Sequence, residues 1–237
     1  MTAEAVTVRN LSAGYGRRPV LQRVTAHIPR ARTTVVVGPN GSGKSTLLGA
    51  LAGVVPPTSG AVARQALDAG RTAFVVQRSE ASDVLPITVR ETVAMGRWAR
   101  RGPWRRLTRR DRAVVESCMA RLGILDLASR QLGALSGGQR QRALVAQGLA
   151  QEADLLLLDE PAAGLDLEAQ RRIREVLDEQ RESGVTVVHT THDLTEAMRA
   201  DHCLLLGQGR LLAAGPPDSV LTRDALERAW GMPGIDV

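Results

Sequence analysis

The chain has 237 residues, 43% of them apolar and only 2% aromatic, with a formal net charge of +6. That suits one large globular domain or two small ones with an aliphatic core, and the positive balance favours an acidic partner or a phospholipid surface. No stretch reaches the roughly 20 apolar residues of a membrane span, the N-terminus lacks a signal peptide's apolar region, and two cysteines make no disulfide framework, so a cytoplasmic protein is expected.

Residues 6–9 and 20–28 alternate loosely, predicting two strands with a turn at residues 12–16. Tyr15, the one tyrosine, either caps the sheet or stacks on a nucleotide base. Next comes Gly38-Pro39-Asn40-Gly41-Ser42-Gly43-Lys44-Ser45-Thr46, between the apolar run 34–37 and the helical pattern 47–51. Strand, glycine-rich loop and helix in that order are the required context of the phosphate loop G-x-x-x-x-G-K-[ST]. Glycines let the backbone turn its N–H groups onto a polyphosphate, and the helix adds the positive end of its dipole. Lys44 would reach the β and γ phosphates, and the Ser45 hydroxyl would sit on Mg²⁺. Lys44 is also the only lysine in the chain, every other basic side chain being arginine or histidine. A guanidinium fork does not replace a compact ammonium in such a nest.

Residues 54–60 end that helix and begin a short strand pair. The run 73–76 suits a strand covered on both faces, and Gln77 follows at its carboxyl end, where ligands of open α/β sheets gather; the plain alternative is a surface glutamine. Residues 78–154 lack strand runs and carry helical spacing, as at Val114, Val115, Met119 and Leu122, which predicts a helical insertion. Within it, residues 97–112 are the most basic stretch and contain Trp98 and Trp104. Such a stretch suits nucleic acid or phospholipid headgroups, the simplest reading being a solvated loop and helix face.

Four leucines at 155–158 predict a buried strand that delivers Asp159 and Glu160 beside the phosphate loop. Asp159 suits Mg²⁺ through water, and Glu160 suits polarising the water that attacks a γ-phosphate. Asp166 precedes a helix over 168–183, so it could be that helix's N-cap. A strand at 185–188 is followed by Thr190-Thr191-His192-Asp193, again at the ligand end. His189 and His192 have no third ligand nearby, which makes a weak metal pair. Residues 203–206 and 210–213 flank Gly207-Gln208-Gly209 as a hairpin, and a helical tail over 218–230 follows.

With these motifs in this order, Leu135-Ser136-Gly137-Gly138-Gln139-Arg140-Gln141-Arg142, at the start of a helix over 140–150, resembles the signature sequence of ABC transporter ATPase subunits. The resemblance covers nearly the whole chain. It implies an α/β P-loop NTPase of ABC type: a nucleotide-binding core with an antiparallel β subdomain over 1–77 and 155–237, and a helical subdomain over 78–154. It also implies ATP and Mg²⁺, with Tyr15 on adenine, residues 38–46 around the phosphates, and Ser45, Gln77 and Asp159 at the metal. Catalysis would fall to Glu160, His192, Gln77 and Lys44; Ser136, Gly137, Gly138 and Gln139 would clamp ATP held by the opposite subunit of a head-to-tail homodimer, and Asp166 would bridge to that subunit. Val76, where proline is common before the glutamine, is a minor departure.

Residues 88–98, 151–154 and 161–166 resemble the metal-ion importer group, the zinc and manganese members above all. The implied function is ATP-driven uptake of a divalent metal, zinc by preference, through a separate transmembrane permease fed by a substrate-binding protein. The chain would be peripheral on the cytoplasmic face of the membrane. Manganese or iron-chelate import is the alternative. An exporter ATPase, or a soluble ATPase acting on DNA or ribosomes, is a further one, which the importer-like segments and the lack of a second ATPase unit or long insertion argue against. No regulatory domain follows the core, so substrate feedback through this subunit is not expected.

Overall fold

A computed structural model describes residues 3–16, 18–64, 71–76 and 86–231. Its centre is a six-stranded sheet in the order β5-β6-β7-β3-β8-β9. The strands are β3 (Thr33–Val37), β5 (Thr72–Val75), β6 (Leu155–Leu158), β7 (Thr186–Thr191), β8 (His202–Gly207) and β9 (Arg210–Gly215). All run parallel except β9, which returns antiparallel to β8. Covered on both faces, these parallel strands read as unbroken apolar runs, and the pleat deals their side chains alternately to the two sides. Val36, Leu155, Leu157, Val188, Leu204 and Leu206 take one side. Leu156, Leu158 and Val187 take the other within one cluster, and Val35, Val37, Cys203 and Leu205 within a neighbouring one. Each leucine so buried is worth about 1.5–3 kcal/mol over leaving it in water.

The first side is closed by helix α1 (Lys44–Ala52) and a three-stranded antiparallel sheet, β2-β1-β4. Its members are β1 (Glu4–Tyr15), β2 (Arg18–Pro29) and β4 (Pro57–Arg64). The turn expected over 12–16 is thus mostly strand: β1 runs on to Tyr15, which pairs with Arg18, and the bulges in its register absorb the irregular spacing that imitated a turn.

The second side is covered by helices. These are α2 (Val89–Met95), α3 (Trp98–Arg101), α4 (Arg109–Arg121), α5 (Gly137–Leu149) and α6 (Leu167–Glu182), with α7 (Leu194–Ala197), α8 (Pro217–Val220) and α9 (Arg223–Trp230) beyond β7. Among the described residues, the elements between 86 and 154 are helical, and α5 and α6 share one apolar cluster with Val75, Leu156 and Leu158 of the sheet. Helix α5 starts three residues earlier than expected, because Ser136 caps it: Ser136 Oγ accepts from Gln139 N at 3.3 Å, and the Gln139 side chain accepts from Ser136 N at 3.1 Å. The tail is two short helices rather than one, since Thr222 is the N-cap of α9.

The basic stretch 97–112 is solvated over most of its length, as expected, but Arg97 and Asp111 are buried and anchor it. Arg97 is buried, and its guanidinium donates to Asp111 at 3.0 Å, to Glu152 at 2.8 Å and to the Ala150 carbonyl at 2.7 Å. Arg101 adds a second contact to Asp111, and Arg100 a second to Glu152. Hydrogen bonds from Thr108, ahead of Arg97 and Arg101, hold the Asp111 carboxyl far below the usual carboxylate range, against the cost of its burial. Among the described residues, Arg105, Arg106, Arg109 and Arg112 make no such pairs, and Trp104 at the tip is 95% exposed. Asp111→Ala would remove one of the two carboxylates that pair the buried Arg97 guanidinium and is expected to cost about 1–3 kcal/mol in urea unfolding. Because the folded-state pKa is depressed, the Asp111 contribution is complete above the unfolded-state pKa of about 4 and fades as pH falls below it.

Candidate functional site

The parallel strands end at the same edge of the sheet, and the segments that leave β3, β6 and β7 there build one site. From β3 the chain enters the loop 38–43 and then α1. Gly38 has φ 155°, and a Cβ there would lie 2.3 Å from the Leu206 carbonyl oxygen; at Gly43, with φ 102°, it would lie 2.6 Å from Leu21 Cδ2. Glycine is therefore required at both positions, by backbone conformation and by space. No side chain caps α1, which leaves its first N–H groups open to an anion.

Lys44 folds back over this loop. It is 6% exposed, and Nζ donates to the Gly38 carbonyl at 2.8 Å and the Pro39 carbonyl at 3.3 Å. Burial lowers its pKa, with Glu160 and Asp159 pulling the other way. Ser42 Oγ is buried and has no partner among the described residues, whereas Ser45 is exposed on the first turn of the helix. A buried hydroxyl without a protein partner beside open helix N–H groups suits a phosphate oxygen.

Strand β6 ends in Asp159 and Glu160, and β7, its neighbour on the side of β3, ends in Thr190 and Thr191. One hydroxyl joins the two strand ends: Thr190 Oγ1 donates to Asp159 Oδ1 and accepts from Glu160 N, both at 2.7 Å. Glu160 has φ 45°, a left-handed conformation uncommon outside glycine, which the Thr190 bond helps to hold. His192 follows β7; it is largely exposed, with Nδ1 3.8 Å from Glu160 Oε2. Glu160, Thr190, His192 and Gln170 line one pocket.

The remaining expected residues fall as follows. Tyr15 is 59% exposed at the end of β1 and packs into no core. Gln77 lies outside the described residues, just past β5, the edge strand beside β6. Asp166 is the N-cap of α6, its Oδ1 accepting from Ala169 N at 2.8 Å. Ser136 and Gly137 are exposed at the tip of α5, and Gly138 faces Leu165. Gly148 near the other end of α5 packs on Val75, so the signature stands roughly 16 Å further along the helix axis. His189 is buried inside β7, and no three His, Cys, Asp or Glu side chains among the described residues could share a metal ion. Burial pushes the thiols of Cys118 and Cys203 up to about 11 and about 12, so neither is a nucleophile at neutral pH.

Thr190 was not singled out as a site residue. A threonine in a β-branched run is unremarkable; only the adjacency of β6 and β7 gives its hydroxyl two partners. Thr190→Val leaves the Glu160 N–H unpaired. It is expected to lower unfolding stability by about 1–3 kcal/mol and to reduce ATP turnover more than ATP binding, as read by calorimetry and phosphate release.

The pattern of the ABC transporter family matches residues 21–163, and the chain belongs to that family. It is an ATP-binding domain of the ABC type, an ATPase. Over 230 residues it is 35% identical to the manganese transport system ATP-binding protein MntB of Bacillus subtilis, covering 95% of this chain and 92% of the relative. Over 233 residues it is 41% identical to the hemin import ATP-binding protein HmuV of Streptomyces coelicolor, covering 94% and 82%. A solved inward-facing transporter assigned to the metal-chelate type superposes with a TM-score of 0.83 at 30% identity, covering 96% of this chain and 89% of that one.

Proposed function

We propose that this chain is the ATP-hydrolysing subunit of an importer that takes up a metal ion or a metal chelate through a separate permease fed by a substrate-binding protein. The observation that carries the ATPase part is the convergence at one sheet edge of a buried Lys44, open helix N–H groups and the Thr190-linked Asp159-Glu160 pair. The relatives named above support manganese and hemin or a metal chelate as the cargo; zinc rests on the sequence resemblance alone.

In this reading residues 38–46 hold the phosphates of ATP, and Tyr15, exposed at the rim, stacks on adenine. The oxygen donors Ser45, Asp159 and Gln77 suit a hard dication, and Mg²⁺ there would neutralise phosphate charge. Glu160 orients and deprotonates the attacking water, while His192 contacts the γ-phosphate. Lys44 holds the β and γ oxygens and is the charge on which they settle.

The exposed Ser136 and Gly137, with the half-buried Gly138 and Gln139, reach no phosphate loop within their own chain in this reading. They close on ATP held by a second copy, and Asp166 contributes to the same contact. We divide the chain accordingly into a nucleotide-binding core with its β subdomain, 1–77 and 155–237, and a helical subdomain, 78–154. No helix among the described residues is long and apolar enough to cross a membrane, which fits a peripheral subunit held on the cytoplasmic face by the permease.

Glu160→Gln should retain ATP binding and lose about 10²–10³ or more in turnover, whereas Lys44→Ala should lose binding itself; equal turnover in either would overturn the site assignment. Tagged protein from mildly solubilised membranes should carry a multi-span permease, and recovery with nucleic acid instead would overturn the transport reading. Trp104, Arg105 and Arg106 stand clear of the pairs that occupy Arg97, Arg100 and Arg101, so they are available to that permease. Arg105→Glu with Arg106→Glu is expected to weaken copurification while leaving ATP turnover of the isolated chain unchanged.

A further inference from the structure

A second cavity, of about 270 Å³, opens behind the catalytic pocket between α6, the segment around α7, the start of β3 and the middle of β7. Three buried polar atoms on its lining residues have no hydrogen-bond partner among the described residues: Thr33 Oγ1, Arg174 Nε and His189 Nδ1. More than nine in ten buried polar groups are normally satisfied, so three orphans on one cavity point to something that occupies it. His189 is 4% exposed on β7, on the pleat face it shares with Val187, which directs its ring toward α6. Burial lowers its pKa, with Glu196 pulling the other way, and its Nδ1 lies 3.8 Å from Glu196 Oε1.

The charges around the cavity give the class of ligand. Arg174 and Arg181 come from α6 and Arg199 from just beyond α7, with Asp178 and Glu196 as the carboxylates on the same two elements. Arg181 lies 3.8 Å from Asp201; Glu196 Oε2 accepts from Thr191 Oγ1 at 2.6 Å, and its Oε1 stands 3.8 Å from His189 Nδ1, so a ligand there would take Nδ1 in competition with this carboxylate. Arg174 and Arg199 have no ion pair among the described residues. Two uncommitted guanidiniums, a hydroxyl and an imidazole N–H form a donor-rich set matched to a small tetrahedral oxyanion. A cation is disfavoured, because the carboxylates do not gather with a third ligand.

We propose that this cavity binds inorganic phosphate, at a site separate from the phosphate loop. Arg174 and Glu196 line both this cavity and the catalytic pocket, and Glu196 is bonded to Thr191, the residue before His192. Occupancy is thereby coupled to the His192 segment. The site itself stands on the cavity; only the source of the phosphate, hydrolysis next door, rests on the ATPase reading.

The test uses the full chain, saturated with ADP to fill the phosphate loop, and follows histidine imidazole NMR signals during titration with inorganic phosphate. The chain has four histidines, and His189→Asn assigns the relevant signal. A saturable shift of the His189 signal is expected with phosphate but not with chloride at equal ionic strength. Arg199→Gln, an exposed change that removes one charge-assisted donor, should weaken the response by about tenfold. A shift of His192 alone would place phosphate at the catalytic pocket and overturn the proposal. So would a His189 signal that does not move, or one that moves equally in Arg199→Gln, since the cavity then holds water. Thr33→Val supplies a second readout: a stability gain without phosphate that disappears when phosphate is added supports the site, and a gain equal in both buffers counts against it. A protein that fails to bind ADP would overturn the nucleotide reading and leave the His189 result standing.

Discussion

The buried ammonium of Lys44 is the constraint from which the site follows. A cation taken out of water must be surrounded by oxygen, and here the Gly38 and Pro39 carbonyls supply it at 2.8 and 3.3 Å. Those carbonyls point inward only because the backbone at 38 and 43 adopts conformations that need glycine, with Leu206 and Leu21 packed against the spaces where side chains would be. The loop is therefore held as a cup against the sheet behind it. Asp159 and Glu160 at the neighbouring strand ends raise the lysine's proton affinity against its desolvation. A polyphosphate brings the negative charge that balances the whole group.

The same sheet explains why one hydroxyl matters so much. Asp159 and Glu160 leave β6 with two carboxylates side by side, and Thr190 ties them to β7 by serving as donor to one and acceptor to the backbone of the other. Glu160 is thereby held in a conformation that an isolated chain would not choose. The strand between this pair and Lys44 is β7 itself, so the separation of Asp159 and Glu160 from the lysine is set by sheet spacing rather than by loops.

Away from the site, the ionic cluster of Arg97, Arg100, Arg101, Asp111 and Glu152 ties the helical insertion to the turn that feeds β6. Its arginines are structural, which leaves the exposed Arg105, Arg106, Arg109 and Arg112 as the available basic surface beside Trp104. Burying Arg97 costs its hydration, and the three oxygens around it recover that cost only while all are present. The cluster therefore makes the orientation of the insertion depend on one capped helix start at Thr108.

By itself the sequence determined the strand-loop-helix of the phosphate site, the four-leucine strand and the hairpin at Gly207–Gly209, because each is a local pattern whose period or glycine spacing has one physical solution. It also determined the family, through motifs whose order needs no coordinates. What only the tertiary structure decided is which distant residues meet. The order β5-β6-β7-β3-β8-β9 makes Thr190 a site residue and buries His189 over a cavity, and neither follows from a β-branched run. The fate of Arg97 was hidden for the same reason: an arginine's charge is visible in a sequence, but its partners Asp111 and Glu152 lie 14 and 55 residues away. Bulges in β1 and the cap at Ser136 likewise moved element ends by a few residues, since pairing with a neighbouring strand or a single side-chain bond outweighs local propensity there.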